Sequence, residues 1–223
     1  MSLPSRGEEL AALGEQARQS LGDVHRAREE ALPRCRETIR ACGLAIRAVH
    51  RHLPDDVEAR LAEAQAALRV AQHALAPFPS LAAVGFLHDA EKEYAEANLT
   101  KALVEGAPLP TAAVLEVRVA AWLNGLAEAA SELRRHLLDR LRAGAIDRGE
   151  ELFVAMEDAY DMLVTVDYPD AITGGLRRTT DALRAVVERS RSDVTTTVLQ
   201  ARLQRALEGS GEASGERSGG LSG

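Results

Sequence analysis

The stretch ALPRCRETIRACGLAIRAVHRHL, residues 31–53, decides the fold class of this 223-residue chain. Its apolar side chains recur at intervals of three and four residues, which places them along one side of an α-helix. They are Leu32, Cys35, Ile39, Cys42, Ile46, Val49 and Leu53. The pattern predicts a long helix over about residues 8–52 that packs one face against other helices. Pro33 lies inside it and predicts either a kink or the start of a second helical part.

Five further helical segments follow, separated by breaks rich in proline and glycine. They cover about residues 54–76, 80–105, 111–143, 146–166 and 176–207. No strand-like alternation of useful length occurs, and short connections favour antiparallel neighbours. We therefore expect an all-α, single-domain antiparallel bundle of about six to seven helices over residues 1–208. The Gly/Ser-rich residues 209–223 predict a disordered tail.

Composition narrows the class of protein. Aromatic residues make up only 3% of the chain, and the abundance of Ala, Leu, Arg and Glu favours helix over strand. No apolar run approaches the roughly 18 residues of a membrane span, and the N-terminus lacks a secretory signal, so we expect a cytoplasmic protein without membrane contact. The net charge of −7 disfavours a generally basic nucleic-acid binder, so RNA contact would need a local basic stripe or metal ions.

Cysteine and histidine chemistry has little support in the sequence. Cys35 and Cys42 lie about 10 Å apart along a helix, which rules out a disulfide and favours buried, reduced thiols. His88 and His136 are interpreted as surface or capping histidines. The chain contains no Glu-x-x-His pair of the di-iron type and no P-loop.

Two glutamate couples are the strongest candidates for a functional site. Glu93 and Glu96 stand three residues apart, and Glu128 and Glu132 four apart, so each couple lies on one face of its helix. If the two helices are antiparallel neighbours, the four carboxylates can converge. Such oxygen ligands suit Mg²⁺ or Mn²⁺, which can activate water for an in-line displacement at phosphorus. Spacing alone favours the simpler interpretation, a solvated acidic surface.

Arginines form two candidate phosphate-binding groups. Four fall within a sector of about 60° on the first helix, and two open the last helix. They are Arg36, Arg40, Arg47 and Arg51, followed by Arg177 and Arg178. Arginine suits bidentate contact with phosphate, although ordinary solvated helix surface explains the same pattern.

Three blocks together resemble the translin family, particularly its prokaryotic members. They are AEKEYAEA (90–97), WLNGLAEAASELRRHLLD (122–139) and DYPDAITGGLRRTTDALRAVVERSRSD (167–193). The resemblance covers nearly the whole chain, to about residue 193. It implies an all-α fold and assembly into a hollow, octamer-like barrel around single-stranded nucleic acid. The family contains RNA-binding translins and a catalytic branch, translin-associated factor X, which is a Mg²⁺-dependent endoribonuclease.

The resemblance also assigns roles to the glutamates. The Glu-x-x-Glu signature of the catalytic branch matches Glu93 and Glu96, a couple that non-catalytic translins lack. The acid and glutamate of its second helix match Glu128 and Glu132. The catalytic branch has Asp at the position of Glu128, so the arm of this ligand is longer here.

The resemblance thus implies a Mg²⁺-dependent (or Mn²⁺-dependent) endoribonuclease acting on single-stranded RNA inside a homo-octamer. The four glutamates would be its catalytic metal ligands, and the six arginines would position the nucleic-acid backbone. Two alternatives stay open, a non-catalytic binder of single-stranded RNA or DNA and a structural helical scaffold. The number of ions and the participation of Asp89 also stay open.

Overall fold

The computed structural model describes residues 5–218, and within that range it contains eight α-helices and no strand. The helices are α1 (Arg6–His50), α2 (Pro54–Leu75), α3 (Pro79–Ala82), α4 (Phe86–Glu105), α5 (Val119–Arg142), α6 (Ile146–Val164), α7 (Asp170–Thr173) and α8 (Leu176–Ser218). The predicted all-α class is confirmed. None of the described helices is both long enough and apolar enough to cross a bilayer.

Helices α4 and α5 form the centre of the bundle. Helix α4 packs against α1 and α5, while α5 also packs against α6 and α8. The leucine stripe of α5 is buried as its spacing predicts, with Leu126, Leu133 and Leu137 each at most 2% exposed. The opposite side of α5 carries Glu128, whose carboxylate contacts the side chain of Lys92 on α4.

A glycine sets the separation of α4 and α5. A Cβ atom added at Gly125 would lie 2.8 Å from the Ala95 Cβ atom and 2.8 Å from the Lys92 carbonyl oxygen. No side chain larger than hydrogen fits there without moving one helix. The two backbones therefore approach closely at the level of the predicted glutamate couples.

Helix α1 is a single element. A capping box at Ser5 and Glu8 starts it, and it continues without interruption through Pro33, so Pro33 does not begin a second helix. Its buried residues begin only at Ala27. Cys35 and Cys42 are both buried and free, as predicted.

Two predicted helix starts are wrong. The segment expected over 80–105 is divided, because α3 ends at Ala82 and α4 begins only at Phe86. The segment expected over 111–143 begins at Val119 instead. Residues 111–118 form turns because Arg118 takes an extended backbone and its side chain pairs with the buried Glu91, with Nε 2.6 Å from the carboxylate.

The last helix is longer than predicted. Helix α8 continues to Ser218, beyond its expected end at about residue 207. Residues 219–223 of the predicted tail lie outside the described residues. The division of the chain at residue 208 stays a prediction.

Candidate metal centre

Three of the four predicted glutamates converge between α4 and α5. One carboxylate oxygen each from Glu93, Glu96 and Glu128 lies within 4.8 Å of the other two. The three-residue spacing places Glu93 and Glu96 on one face of α4, and the close approach at Gly125 brings Glu128 opposite them. Three oxygen ligands at this separation can contact one hard divalent cation. We call Glu93, Glu96 and Glu128 the triglutamate cluster.

Glu96 is the innermost member of the cluster. It is 8% exposed, and its pKa rises from an ordinary value of 4.5 to about 9. Burial is the largest cause, followed by repulsion from the carboxylates of Glu93 and Glu128. Without a cation the side chain therefore holds its proton at neutral pH. A bound divalent cation would displace that proton.

A lysine missed by the sequence analysis contacts the cluster. The Lys92 Nζ atom lies 2.5 Å from Glu128 Oε2 and 3.2 Å from Glu93 Oε1. Burial lowers the pKa of this amine, but the contacts with Glu128 and Glu93 outweigh burial and raise it. Two of the three carboxylates of the triglutamate cluster therefore have a lysine partner. The available signal was the position of Lys92 directly before Glu93.

Glu132 lies outside the triglutamate cluster. Its Oε2 atom accepts a hydrogen bond from His50 Nε2 at 2.8 Å. The other ring nitrogen, His50 Nδ1, lies 2.9 Å from His136 Nε2, within hydrogen-bond distance. The structure therefore places the fourth predicted ligand in a carboxylate–histidine chain that joins α1 to α5. Its role as a metal ligand stays a prediction.

His136 corrects a sequence interpretation. It is 4% exposed, so its assignment to the surface is wrong. Burial, followed by the neighbouring His50 and His52, lowers its pKa to about 4, and the ring is neutral at physiological pH. The other interpreted histidine, His88, is half-buried, and burial also lowers its pKa.

A cleft of about 390 Å³ opens beside the cluster. Lys92 and Glu128 line one side, and the turn Gly174–Gly175 with Arg178 lines the other. The turn fits closely, because a Cβ atom at Gly174, where φ is +63°, would lie 2.6 Å from the His88 ring. The exposed Asp89 also lines this cleft but is not one of the three clustered carboxylates.

The six predicted arginines are not gathered at one place. Arg178 lines the cleft, and within residues 5–208 it forms no ion pair. Its neighbour Arg177 instead approaches Asp167 at 3.4 Å. The four predicted arginines at the end of the first helix are exposed and, in the same range, have no acidic partner within salt-bridge distance; they are Arg36, Arg40 and Arg47 on α1 and Arg51 directly after it. None of these four lines the cleft.

No family model matches this sequence. Among curated proteins, an uncharacterised protein of Methanocaldococcus jannaschii, MJ0175, is 28% identical over 186 residues, which cover 82% of each chain. A solved structure of AfC3PO, a translin-like protein of Archaeoglobus, in complex with duplex RNA has a TM-score of 0.75 and 33% identity. That match covers 85% of this chain and 97% of AfC3PO.

This chain belongs to the translin family. A second structure of AfC3PO agrees, with a TM-score of 0.75 and 32% identity. The structure of apo-NeC3PO has a TM-score of 0.72 and covers 88% of this chain and all of its own, but at 17% identity it supports the translin fold alone. The family resemblance inferred from the three sequence blocks is therefore confirmed.

Proposed function

We propose that this translin-family chain is a metal-dependent endoribonuclease that works in the cytoplasm as an assembly of several copies. The convergence of Glu93, Glu96 and Glu128 beside a cleft carries the proposal. The donor set consists of carboxylate oxygens and includes a buried carboxyl that holds a proton. Such a set fits Mg²⁺ or Mn²⁺ better than a soft transition metal.

Each side chain has a separable role in the proposed reaction. Glu93, Glu96 and Glu128 would hold the cation; Glu96 is the most buried of the three, and Glu128 lines the cleft. When bound, Mg²⁺ supplies the charge that activates water and stabilises an in-line displacement. Arg178 can take two non-bridging oxygens of the nucleic-acid backbone in its planar fork. Hydrolysis then joins a water oxygen to phosphorus and breaks the bond to one ester oxygen.

The nature of the RNA is part of the proposal. The family resemblance implies single-stranded RNA, with single-stranded DNA as a further ligand, whereas the AfC3PO structure is a complex with duplex RNA. Both forms of RNA therefore belong in the assay. Four exposed arginines would contact the nucleic-acid backbone outside the cleft, since they have no ion-pair partner among residues 5–208; they are Arg36, Arg40, Arg47 and Arg51.

Self-association has a physical basis in this chain. Large apolar side chains on α1 and α8 are more than half exposed, which is typical of surfaces that pack against another copy. They are Leu10, Leu13, Leu21, Leu199, Leu203 and Leu207. We propose a homo-octamer, and mass measurement in solution tests that number.

The deciding experiment is cleavage of end-labelled single-stranded and duplex RNA in Mg²⁺ and in chelator. Wild-type protein should cleave only with Mg²⁺, and Glu93→Ala should lose that activity while it keeps its oligomeric mass. Glu150→Ala, at an exposed glutamate of α6, is the matched control and should keep full activity. Full activity in Glu93→Ala would refute the proposed site.

A non-catalytic RNA- or DNA-binding protein is the second candidate, and Lys92 favours it. Its ammonium can serve simply as a salt bridge that ties α4 to α5 through Glu128. Salt-sensitive RNA binding without cleavage would select this candidate. Absence of any nucleic-acid binding, with a monomer or dimer in solution, would select a structural scaffold instead.

A further inference from the structure

The Lys92 ammonium lies against two of the three carboxylates of the triglutamate cluster. We propose that this ammonium is the second cation of the site, so that each chain binds a single divalent ion and Lys92 contacts the substrate phosphate. This inference rests on the proposed function for its catalytic part. Its metal-binding part is tested without any cleavage.

Lys92 contacts two of the three carboxylates of the cluster. Its Nζ atom contacts Glu128 and Glu93, at 2.5 Å and 3.2 Å, and has no contact within salt-bridge distance of Glu96. Ions in two-metal centres stand about 3.5–4 Å apart. The triglutamate cluster, whose ligand atoms all lie within 4.8 Å, already holds one positive charge on one side. A divalent ion would therefore stand nearest Glu96, the one carboxylate of the cluster that Lys92 does not contact.

The charges of the site favour one divalent ion. Three ionised carboxylates are balanced by the Lys92 ammonium together with one divalent cation. A second divalent cation would leave two excess positive charges in a site where Lys92 is only 19% exposed. Uncompensated charge in such a half-buried place is strongly disfavoured. The lysine therefore excludes a second ion by charge as well as by position.

Lys92 can also reach the substrate. It lines the cleft opposite Arg178, and its four-carbon stem lets the ammonium turn without moving the helix. With a divalent cation bound beside it, the ammonium can keep its contact with Glu128 and donate a further hydrogen bond to a phosphate oxygen in the cleft. Lys92 and Arg178 then face the same phosphate from opposite sides.

The role of Lys92 in the step is electrostatic. A water oxygen bonds to phosphorus and releases a proton to solvent, while the ester oxygen leaves with the bonding electron pair and takes a proton from solvent. The ammonium keeps its proton throughout and stabilises the charge that grows on the phosphoryl oxygens. Loss of one such donor typically costs a factor of about 100 or more in rate.

The test is Mn²⁺ binding to the full-length protein, followed through the electron paramagnetic resonance signal of free Mn²⁺. Wild type should bind about one Mn²⁺ per chain. Lys92→Met should bind the first Mn²⁺ about tenfold more tightly and gain a second, because the competing charge is gone. In the same variant RNA cleavage should fall about 100-fold. Lys92→Arg keeps the charge and should keep one ion per chain.

The chain offers a matched control, because its other lysine, Lys101, stands on the same helix and pairs with Glu58. Lys101→Met should leave both Mn²⁺ binding and cleavage unchanged. The inference is overturned if the wild-type chain binds two Mn²⁺ or none, or if Lys92→Met binds Mn²⁺ with unchanged affinity. Unchanged RNA cleavage by Lys92→Met would overturn the catalytic role of Lys92. If Lys92→Met loses helical circular dichroism, Lys92→Gln takes its place. A wild type that binds one Mn²⁺ but cleaves no RNA refutes the proposed function and not the ion count.

Discussion

Replacement of Glu96 by glutamine should stabilise the metal-free protein at neutral pH. The carboxyl group is buried between α4 and α5, and burial followed by the charges of Glu93 and Glu128 raises its pKa to about 9. Between its ordinary pKa of 4.5 and that value, the folded chain keeps a proton that the unfolded chain has lost. Stability is therefore complete below pH 4.5 and falls as the pH rises through this window.

The size of the effect follows from the same window. Each pH unit inside it costs about 1.4 kcal/mol, so roughly 3 kcal/mol is lost between pH 4.5 and pH 7. Glutamine has no proton to lose and almost the same shape. Allowing for imperfect hydrogen bonding of the amide, we expect Glu96→Gln to gain about 1–3 kcal/mol near pH 7 and close to nothing near pH 4.5.

The assay is urea unfolding in chelator, at one protein concentration, at pH 4.5, 6 and 7.5. Glu91 provides the control, since it is a buried glutamate on the same helix whose carboxylate binds Arg118 and Gln72. Glu91→Gln weakens an ion pair and should destabilise by about 1–3 kcal/mol. If Glu96→Gln destabilises at pH 7.5, or has the same effect at all three pH values, the reasoning about its buried proton is refuted.

Three further predictions concern the same region. The affinity for Mn²⁺ should rise with pH from neutrality to about 9, because Glu96 must release its proton to bind the ion. Calorimetry in buffers of different ionisation enthalpy should detect that proton release. Binding that does not change with pH would contradict the prediction. Gly125→Ala should destabilise the protein by about 1–3 kcal/mol and weaken Mn²⁺ binding. The control Gly43→Ala, with nothing within 4 Å of its new Cβ, should be neutral or stabilising in thermal unfolding. Equal effects of the two substitutions would contradict the close approach of α4 and α5. Arg178→Ala should weaken RNA binding about tenfold and reduce the salt dependence of that binding. Arg177→Ala, outside the cleft, should weaken binding much less. Equal losses in a filter-binding assay would exclude the cleft as a phosphate site.

Helix faces could be read from the sequence because they depend only on spacing. The stripe of Leu126, Leu133 and Leu137 and the shared face of Glu93 and Glu96 both follow from helical periodicity. Convergence of the two helices depends on contact between them. The one local sign of that contact in the sequence is Gly125, a lone glycine whose cost inside a helix is about 1 kcal/mol relative to alanine.

The parts that could not be predicted involve partners distant in sequence. Glu132 is held by His50, which lies 82 residues earlier on another helix, and periodicity does not say which helix faces which. The start of α5 depends in the same way on the pairing of Arg118 with Glu91. Lys92 was overlooked because its face of the helix is about 100° from that of Glu93, and only its long stem brings the ammonium round to the carboxylates.

The contact at Gly125 makes cation preference a matter of how far one helix slides along another. Ligand atoms on two rods held backbone to backbone cannot adjust independently, since a slip of one residue moves a carboxylate by about 1.5 Å. Mg²⁺ and Ca²⁺ differ by only about 0.3–0.5 Å in their distance to oxygen. A displacement of a quarter of a residue between α4 and α5 therefore equals the whole difference in size between these ions. A neighbouring copy of the chain that displaces either helix would therefore change which cation the metal centre prefers.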